Sequence, residues 1–299
     1  MTVQRVPINP LVKHLHQTPP PVLYHYTSMD VLEKITSTGA IWACDIDFLN
    51  DSSEYVNAKA FIKEELEKRT VHDDVLRDLV SSQVGQMYHE LDHPDVFVTS
   101  FSKDGDSLPQ WRGYCPTGLG LAIGFNSWAL KVGELELSPA AAFSSKEQPI
   151  ATSLLQCVYT EKQKLKLIGA HIASYLGVAR REAPRGDPFG SGRLLQNLTL
   201  FCCPLFKDES FQEEREWRLT VRSLFRDVPD RHFRTGRSML VPFIKIDVKR
   251  NYSLDFIKEV VIGPAPNRDL AYMGVKRLLN ARGLSRAEVR SSSIPYRMW

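Results

Sequence analysis

The chain has 299 residues, of which 43% are hydrophobic and 24% are charged, and its formal net charge is +3. This is the balance of an ordinary globular protein with a sizeable core, and the charge is too small to indicate a nucleic-acid partner by itself. No apolar stretch is long enough to cross a bilayer, and the first residues lack the apolar centre of a signal peptide. The sequence therefore predicts a soluble, cytoplasmic protein without membrane contact.

Metal and disulfide chemistry find little support in the sequence. The five cysteines are odd in number and contain no CxxC pair, which argues against a disulfide framework and a structural zinc site. The two histidines of His14-Leu15-His16 lie in a proline-rich stretch and make a poor metal site. We expect buried free thiols and no metal.

The first half of the chain alternates between short apolar strands and amphipathic helices. Residues 1–21 end in three prolines and predict an extended N-terminal arm before a single domain over residues 22–299. Thr27 and Asp30 resemble a capping box for the first helix, and Gly39 ends it. The predicted strands are 22–27, 40–44, 95–102 and 118–125; the predicted helices are 28–38, the segment after the turn at 48–54 to about residue 69, and 73–90.

Strands dominate the second half. Two arginine-rich segments, 180–193 and 222–237, are interpreted as solvated loops, with phosphate binding as the alternative, and residues 133–150 as irregular. The predicted strands are 154–159, 216–223, 240–248, 256–263 and 287–293; helices are predicted around 165–176 and 270–281, and helix is favoured for 194–206. This order is not a steady βα alternation, so the sequence predicts an α+β fold.

Seven short segments occur in the order found in a bacterial family catalogued as domain of unknown function 2971, and they span roughly residues 22–297. By this pattern the chain resembles that family, although Ser52 stands where the family usually has proline. The segments are LYHYT (23–27), FLNDSSE (48–54), SFS (100–102), WRGY (111–114), GLGLAIGF (118–125), EREWR (214–218) and EVVIGP (259–264).

The family in turn resembles a branch of the ADP-ribosyltransferase superfamily. This resemblance implies a split antiparallel or mixed β-sheet core with flanking helices, and NAD as the donor substrate of a glycosyl transfer. It also implies three motifs around the NAD cleft. His25 would carry the first motif, either Ser102 or Tyr114 the second, and Glu216 the third.

The chemistry of nicotinamide cleavage fits these residue types. The ribose carbon gains positive charge as nicotinamide leaves, and a carboxylate at Glu216 would stabilise that charge. By the same resemblance Glu214 would activate or orient the acceptor. In an extended segment residues 214, 216 and 218 share one face, so Arg218 would pair with a carboxylate. The residues expected to bind the cofactor are His25, Tyr26, Thr27, Ser100, Ser102, Trp111, Tyr114 and Arg218.

The resemblance implies a transferase that modifies a macromolecule, either protein or nucleic acid, in the setting of a toxin or phage-defence effector with an inhibitor or antitoxin. Two alternatives stay open: NAD hydrolysis with water as acceptor, and an inactive module of the same fold that binds a nucleotide, nucleic acid or protein. Plainer interpretations also exist for single residues. His25 can be a partly buried histidine whose hydrogen bonds are all made within the protein. The charged run 211–216 can be a solvated surface, and Trp111 and Tyr114 can be aromatic residues of the core.

Overall fold

The computed structural model describes residues 10–49, 53–87, 96–115, 120–130, 150–185, 189–223, 231–236, 238–249 and 255–296. Most of the predicted irregular stretch at 133–150 and the turn residues Asn50 to Ser52 lie outside these ranges. Within them helices and strands are interspersed up to residue 130, and the later elements group into larger blocks.

The elements up to residue 130 have the following bounds. The strands are β1 (Val22–Ser28), β2 (Ala40–Asp45), β3 (Val96–Ser102) and β4 (Gly120–Asn126). The helices are α1 (Pro10–Leu15), α2 (Met29–Thr38), α3 (Ser53–Thr70), α4 (Asp74–Met87), α5 (Leu108–Tyr114) and α6 (Ser127–Leu130).

The later elements are mostly strands. They are β5 (Ile150–Gln156), β6 (Glu216–Ser223), β7 (His232–Thr235), β8 (Leu240–Asp247), β9 (Ile257–Ile262) and β10 (Glu288–Ser291). The helices are α7 (Glu161–Glu182), α8 (Phe189–Cys202) and α9 (Arg268–Ala281).

One mixed sheet contains the ten described strands. Its order is β10-β9-β4-β1-β3-β2-β8-β7, and β6 pairs with both β3 and β5. The pairing of β10 with β9 is parallel and the other described pairings are antiparallel. The fold is therefore α+β, as the sequence predicts.

The sheet splits at β3. One edge of β3 pairs with β6 along its whole length, from Val96 to Ser102. The other edge pairs with β2 at Phe97 and Val98, and with β1 only at Ser102. Two strands therefore leave the same edge of β3 in different directions.

Helices cover both faces of the sheet. Side chains alternate between the two faces along β3. Phe97 and Phe101 pack in a core with α2 and α9. Val96 and Val98 pack on the opposite face, in a second core with α3, α4, α7 and α8. The predicted apolar stripe of α3 is buried in the second core. It consists of Tyr55, Ala58, Ile62 and Leu66.

Several local predictions are wrong. The expected extended arm contains helix α1, whose Leu11 is buried and whose His14 Nε2 donates to the Gln156 carbonyl at 2.8 Å. The N-cap of α2 is Ser28, so the predicted capping box of Thr27 and Asp30 does not form, although Gly39 ends the helix with φ 73°.

Longer-range packing changed three other boundaries. Strand β5 lies at 150–156, where it pairs with β6, whereas Val158 forms an isolated bridge with Phe206. Helix α7 continues to Glu182 and α8 begins at Phe189, so most of the predicted loop at 180–193 is helical. The connection at 222–237 contains β7.

Candidate functional site

A histidine of β1 forms a hydrogen bond across the gap between β1 and β3. Ser100 lies between the points at which β2 and β1 pair with β3, so its carbonyl lacks a strand partner on that edge. His25 Nδ1 lies 2.9 Å from this oxygen and must donate, because a carbonyl only accepts. Burial lowers the pKa of His25, so the ring is neutral and Nε2 is left as an acceptor.

A small cavity lies beside this contact. Its volume is about 60 Å³, and strand register brings Tyr24, Ser102 and Glu216 side by side along its wall. Seven of the ten predicted site residues line it: His25, Tyr26, Ser100, Ser102, Tyr114, Glu214 and Glu216. The structure adds Tyr24, Phe101 and Gln110 to the lining.

Three predicted cofactor contacts lie elsewhere. Trp111 is fully buried, and its Nε1 donates to Asp106 at 2.8 Å, so it is a core aromatic. Thr27 is buried, pairs across the sheet with Leu121 and is not among the residues that line the cavity. Arg218 is not in the lining of the cavity, and its side chain binds the carboxylates of Glu54 and Glu216.

Five charged side chains form a buried network under the cavity. Lys207 Nζ lies 2.6 Å from carboxylate oxygens of both Glu214 and Glu216, and 3.5 Å from Glu54. Arg218 binds Glu216 through Nε at 2.7 Å and Glu54 through Nη2 at 2.6 Å. The predicted pairing of Arg218 with a carboxylate is confirmed. The charged run before β6 is only partly a solvated surface, because Glu214 is buried.

Three carboxylates and two cations give this network a formal charge of −1 when all are ionised. Burial acts to raise the pKa of Glu216, but the charges of Arg218 and Lys207 outweigh it and lower this pKa to about 2. Burial likewise acts to lower the pKa of Lys207, but the neighbouring carboxylates raise it above its usual value. Glu216 is therefore ionised at neutral pH.

Neutral donors and acceptors fix the two glutamates further. Tyr114 donates its hydroxyl to Glu214 at 3.1 Å, and Ser102 Oγ donates to the Glu214 carbonyl at 2.8 Å. The hydroxyl of Tyr159 accepts from the Glu216 backbone N–H at 2.7 Å. Burial raises the pKa of both tyrosines, which keeps them protonated. Ser102 and Tyr114 both reach the site, so the choice between them for the second motif stays open.

The backbone between the glutamates adopts a left-handed conformation. Arg215 has φ 45° and, in the described part of the chain, is the sole residue other than glycine with a positive φ. Such a conformation is costly for a residue with a Cβ and is often found at functional sites. Here it places the Glu214 and Glu216 side chains in the network, while Arg215 is exposed and pairs with Asp104 at 3.2 Å.

Sequence reasoning missed two members of the network, Glu54 and Lys207. Glu54 ends the FLNDSSE segment, and its place in that segment is the sequence signal that could identify it, although the segment is predicted only as a turn. Lys207 lies in no recognised motif, and its role follows only from the path of the chain between α8 and β6.

Comparison with known proteins gives one match. Residues 110–219 match a family described as a protein of unknown function, DUF2971. This stretch contains four of the ten residues that line the cavity, namely Gln110, Tyr114, Glu214 and Glu216, together with Lys207 and Arg218 of the charged network. No curated protein and no solved structure shows significant similarity.

Neither a metal centre nor a membrane-crossing helix is found among the described residues. They contain no cluster of three or more histidine, cysteine or acidic side chains arranged to hold a metal ion. No described helix combines the length and apolar character that a membrane crossing requires.

Proposed function

We propose that this protein is an NAD-dependent ADP-ribosyltransferase and that Glu216 is its charge-stabilising carboxylate. The observation that carries the proposal is an ionised, rigidly held Glu216 in the wall of a cavity that His25 and Ser102 also line. The resemblance assigns the first and third motifs to His25 and Glu216, and Ser102 is one of its two candidates for the second.

Electrostatics favour a developing positive charge at this position. The network carries a formal charge of −1, and two cations hold the Glu216 carboxylate in place before any ligand binds. A fixed carboxylate in a water-poor site stabilises an adjacent cation without the cost of reorienting during the reaction. An oxocarbenium-like ribose is such a cation.

The proposed reaction uses the two glutamates differently. The bond between ribose C1′ and the nicotinamide nitrogen breaks, and its electron pair leaves with nicotinamide, which becomes neutral. Glu216 stabilises the positive charge on the ribose. The acceptor nucleophile then bonds to C1′ and gives its proton to Glu214. With water as the acceptor, the same steps produce NAD hydrolysis.

The cavity must open to admit NAD. Its volume of about 60 Å³ is well below the roughly 300–1,000 Å³ of typical ligand sites. Tyr114 lines the cavity and is 40% exposed, and its hydroxyl is held by Glu214. We propose that Tyr114 swings outward when NAD binds, breaking that hydrogen bond.

The second candidate is a binding module without catalytic activity. It is favoured by the ion pairing itself, because Lys207 and Arg218 engage both oxygens of Glu216. A carboxylate saturated in this way can serve stability alone. A binding module would be stabilised by its nucleotide ligand without consuming it.

The deciding experiment compares Glu216→Gln with Glu54→Gln. Both variants remove one carboxylate from the same network, but Glu54 does not line the cavity. Each protein is incubated with NAD and a cell lysate, and nicotinamide release and labelled acceptors are measured. We expect release to fall by about 100-fold or more in Glu216→Gln and to persist in Glu54→Gln.

Circular dichroism and the unfolding midpoint show whether both variants fold. Unchanged release in folded Glu216→Gln would remove the catalytic assignment. Ligand-induced stabilisation of the wild type without any release would favour the binding module. Release without a labelled acceptor would assign NAD hydrolysis.

A further inference from the structure

A second and larger pocket lies on the other side of the Glu214–Glu216 segment. Its volume is about 530 Å³, in the range of small-ligand sites. Its walls come from α1, from the end of β5 and the start of α7, and from the ends of β3 and β6. The charged and amide side chains on which the argument depends are Lys13, Lys103, Gln163, Lys166 and Arg215.

The charge of this lining has one sign. Lys13, Lys103, Lys166 and Arg215 contribute four cations, and no aspartate or glutamate is among the described residues that line the pocket. Arg215 is partly compensated by Asp104, at 3.2 Å. Within the described ranges, none of the three lysines forms an ion pair. Four cations converging on a concave surface attract a compact anion.

The neutral groups in the lining are compatible with an anion. The amide oxygen of Gln163 already accepts from the backbone N–H of Tyr159 and Thr160, both at 3.1 Å. Its amide nitrogen is therefore the end that can donate to a ligand. His14 is occupied on both ring nitrogens, by Gln156 and Gln17, and it fixes α1 against β5.

The volume of the pocket and the residues in its lining favour a ligand larger than inorganic phosphate. A lone phosphate ion would occupy a small part of this pocket, whereas the apolar side chains of Pro10, Val158 and Leu167 offer surface for a sugar or base. Arg and Lys are the side chains that bind phosphate oxygens most strongly. These properties fit a nucleotide.

We propose that this pocket, formed on α1, α7 and the ends of β3 and β6, binds the phosphate of a nucleotide unit. The site is separate from the cavity, since Arg215 faces the pocket while Glu214 and Glu216 face the cavity. The phosphate belongs either to a free nucleotide or to a single-stranded nucleic acid. Binding at this site does not depend on catalysis by Glu216.

The test is a charge reversal with a matched control. Lys13→Glu combined with Lys166→Glu removes two exposed cations from the pocket. Lys245→Glu combined with Lys258→Glu makes the same change in net charge at exposed positions on β8 and β9. Binding of fluorescent ADP and of a short fluorescent single-stranded oligonucleotide is measured by anisotropy at several salt concentrations, with circular dichroism as the folding check.

We expect the wild type to bind at least one probe, and the pocket variant to bind it at least about tenfold more weakly with a shallower salt dependence. The control variant should bind like the wild type. Tighter binding of ADP assigns a free nucleotide, and tighter binding of the oligonucleotide assigns a nucleic-acid strand. Equal weakening in both variants, or no binding of either probe by the wild type at low salt, overturns the proposal. Neither result depends on nicotinamide release, so this test and that of Glu216 can fail separately.

Discussion

Glu54 and Arg218 are 164 residues apart in the sequence, and their side chains form an ion pair of 2.6 Å in the protein interior. The contact joins the start of α3 to β6, and Arg218 continues from there to Glu216. Glu54 ends the FLNDSSE segment, and Glu216 and Arg218 belong to EREWR, so two segments that are far apart in the sequence meet in one buried network.

The first prediction concerns the stability of this network. Arg218→Met should lower the free energy of unfolding by about 3–5 kcal/mol, because Glu54 and Glu216 would stay buried with one of their two shared cations removed. Urea unfolding measures the change. The matched control is Arg282→Met, at an exposed arginine paired with Glu33, where the expected change is within about 1 kcal/mol. Equal changes in the two variants would mean that burial of the Arg218 pair is energetically unimportant.

The second prediction separates two roles of His25. His25→Asn keeps a donor near the position of Nδ1 and should preserve the bond to the Ser100 carbonyl. His25→Phe removes it and should cost about 1–3 kcal/mol, since a buried carbonyl loses its partner. Both variants lack Nε2, so both should lose NAD-induced thermal stabilisation if the ring also binds the cofactor. Retention of that stabilisation in His25→Asn would limit His25 to its structural role.

The third prediction is that the free energy of unfolding decreases in two steps as the pH is lowered. Burial lowers the folded-state pKa of His14, His25 and His171 below the ordinary 6.5. Their contribution is therefore complete above pH 6.5 and declines as the pH falls below it. The lowered pKa of Glu216, about 2 against 4.5, adds a second loss between those pH values. Its size is on the order of 3 kcal/mol, since one pKa unit corresponds to about 1.4 kcal/mol.

Chemical unfolding at a series of pH values tests both steps. The first step should shrink in His25→Asn and the second in Glu216→Gln, each without affecting the other. A single loss confined to pH values below 4.5 in the wild type would show that the three histidines titrate alike in the folded and unfolded states.

The fourth prediction compares two glycines. A Cβ on Gly263 would lie 2.9 Å from the Trp111 ring and 3.0 Å from the Gly120 carbonyl oxygen. Gly263→Ala should therefore destabilise the protein by about 1–3 kcal/mol through overpacking. Gly274 lies inside α9, and a Cβ added there would meet no neighbouring atom within 4 Å, so Gly274→Ala should stabilise the protein by about 0.5–1 kcal/mol. Thermal or urea unfolding gives both values, and a neutral Gly263→Ala would show that Trp111 can shift.

Local patterns in the sequence predicted much of the fold. The bounds of β6 match the prediction, and β1, β2, α2 and α3 lie within a few residues of theirs. Apolar periodicity identifies such elements because it records which face of each element is buried. The errors fall where contacts with other elements decide the outcome, as in the docking of α1 on α7 and the continuation of α7 through its arginines.

Some features of the candidate site follow from local sequence, and others depend on the tertiary structure. The sequence by itself determined the kinds of side chain present, the α+β class, and the placement of Arg218 on the same face as Glu216, because strand alternation is a local property. Only the tertiary structure decided that β1 and β2 diverge from β3, that His25 closes the gap, and that Glu54 and Lys207 join the two glutamates. Those contacts depend on strand order and on chain segments far apart in sequence. Charged groups can be buried only where such distant segments bring opposite charges together.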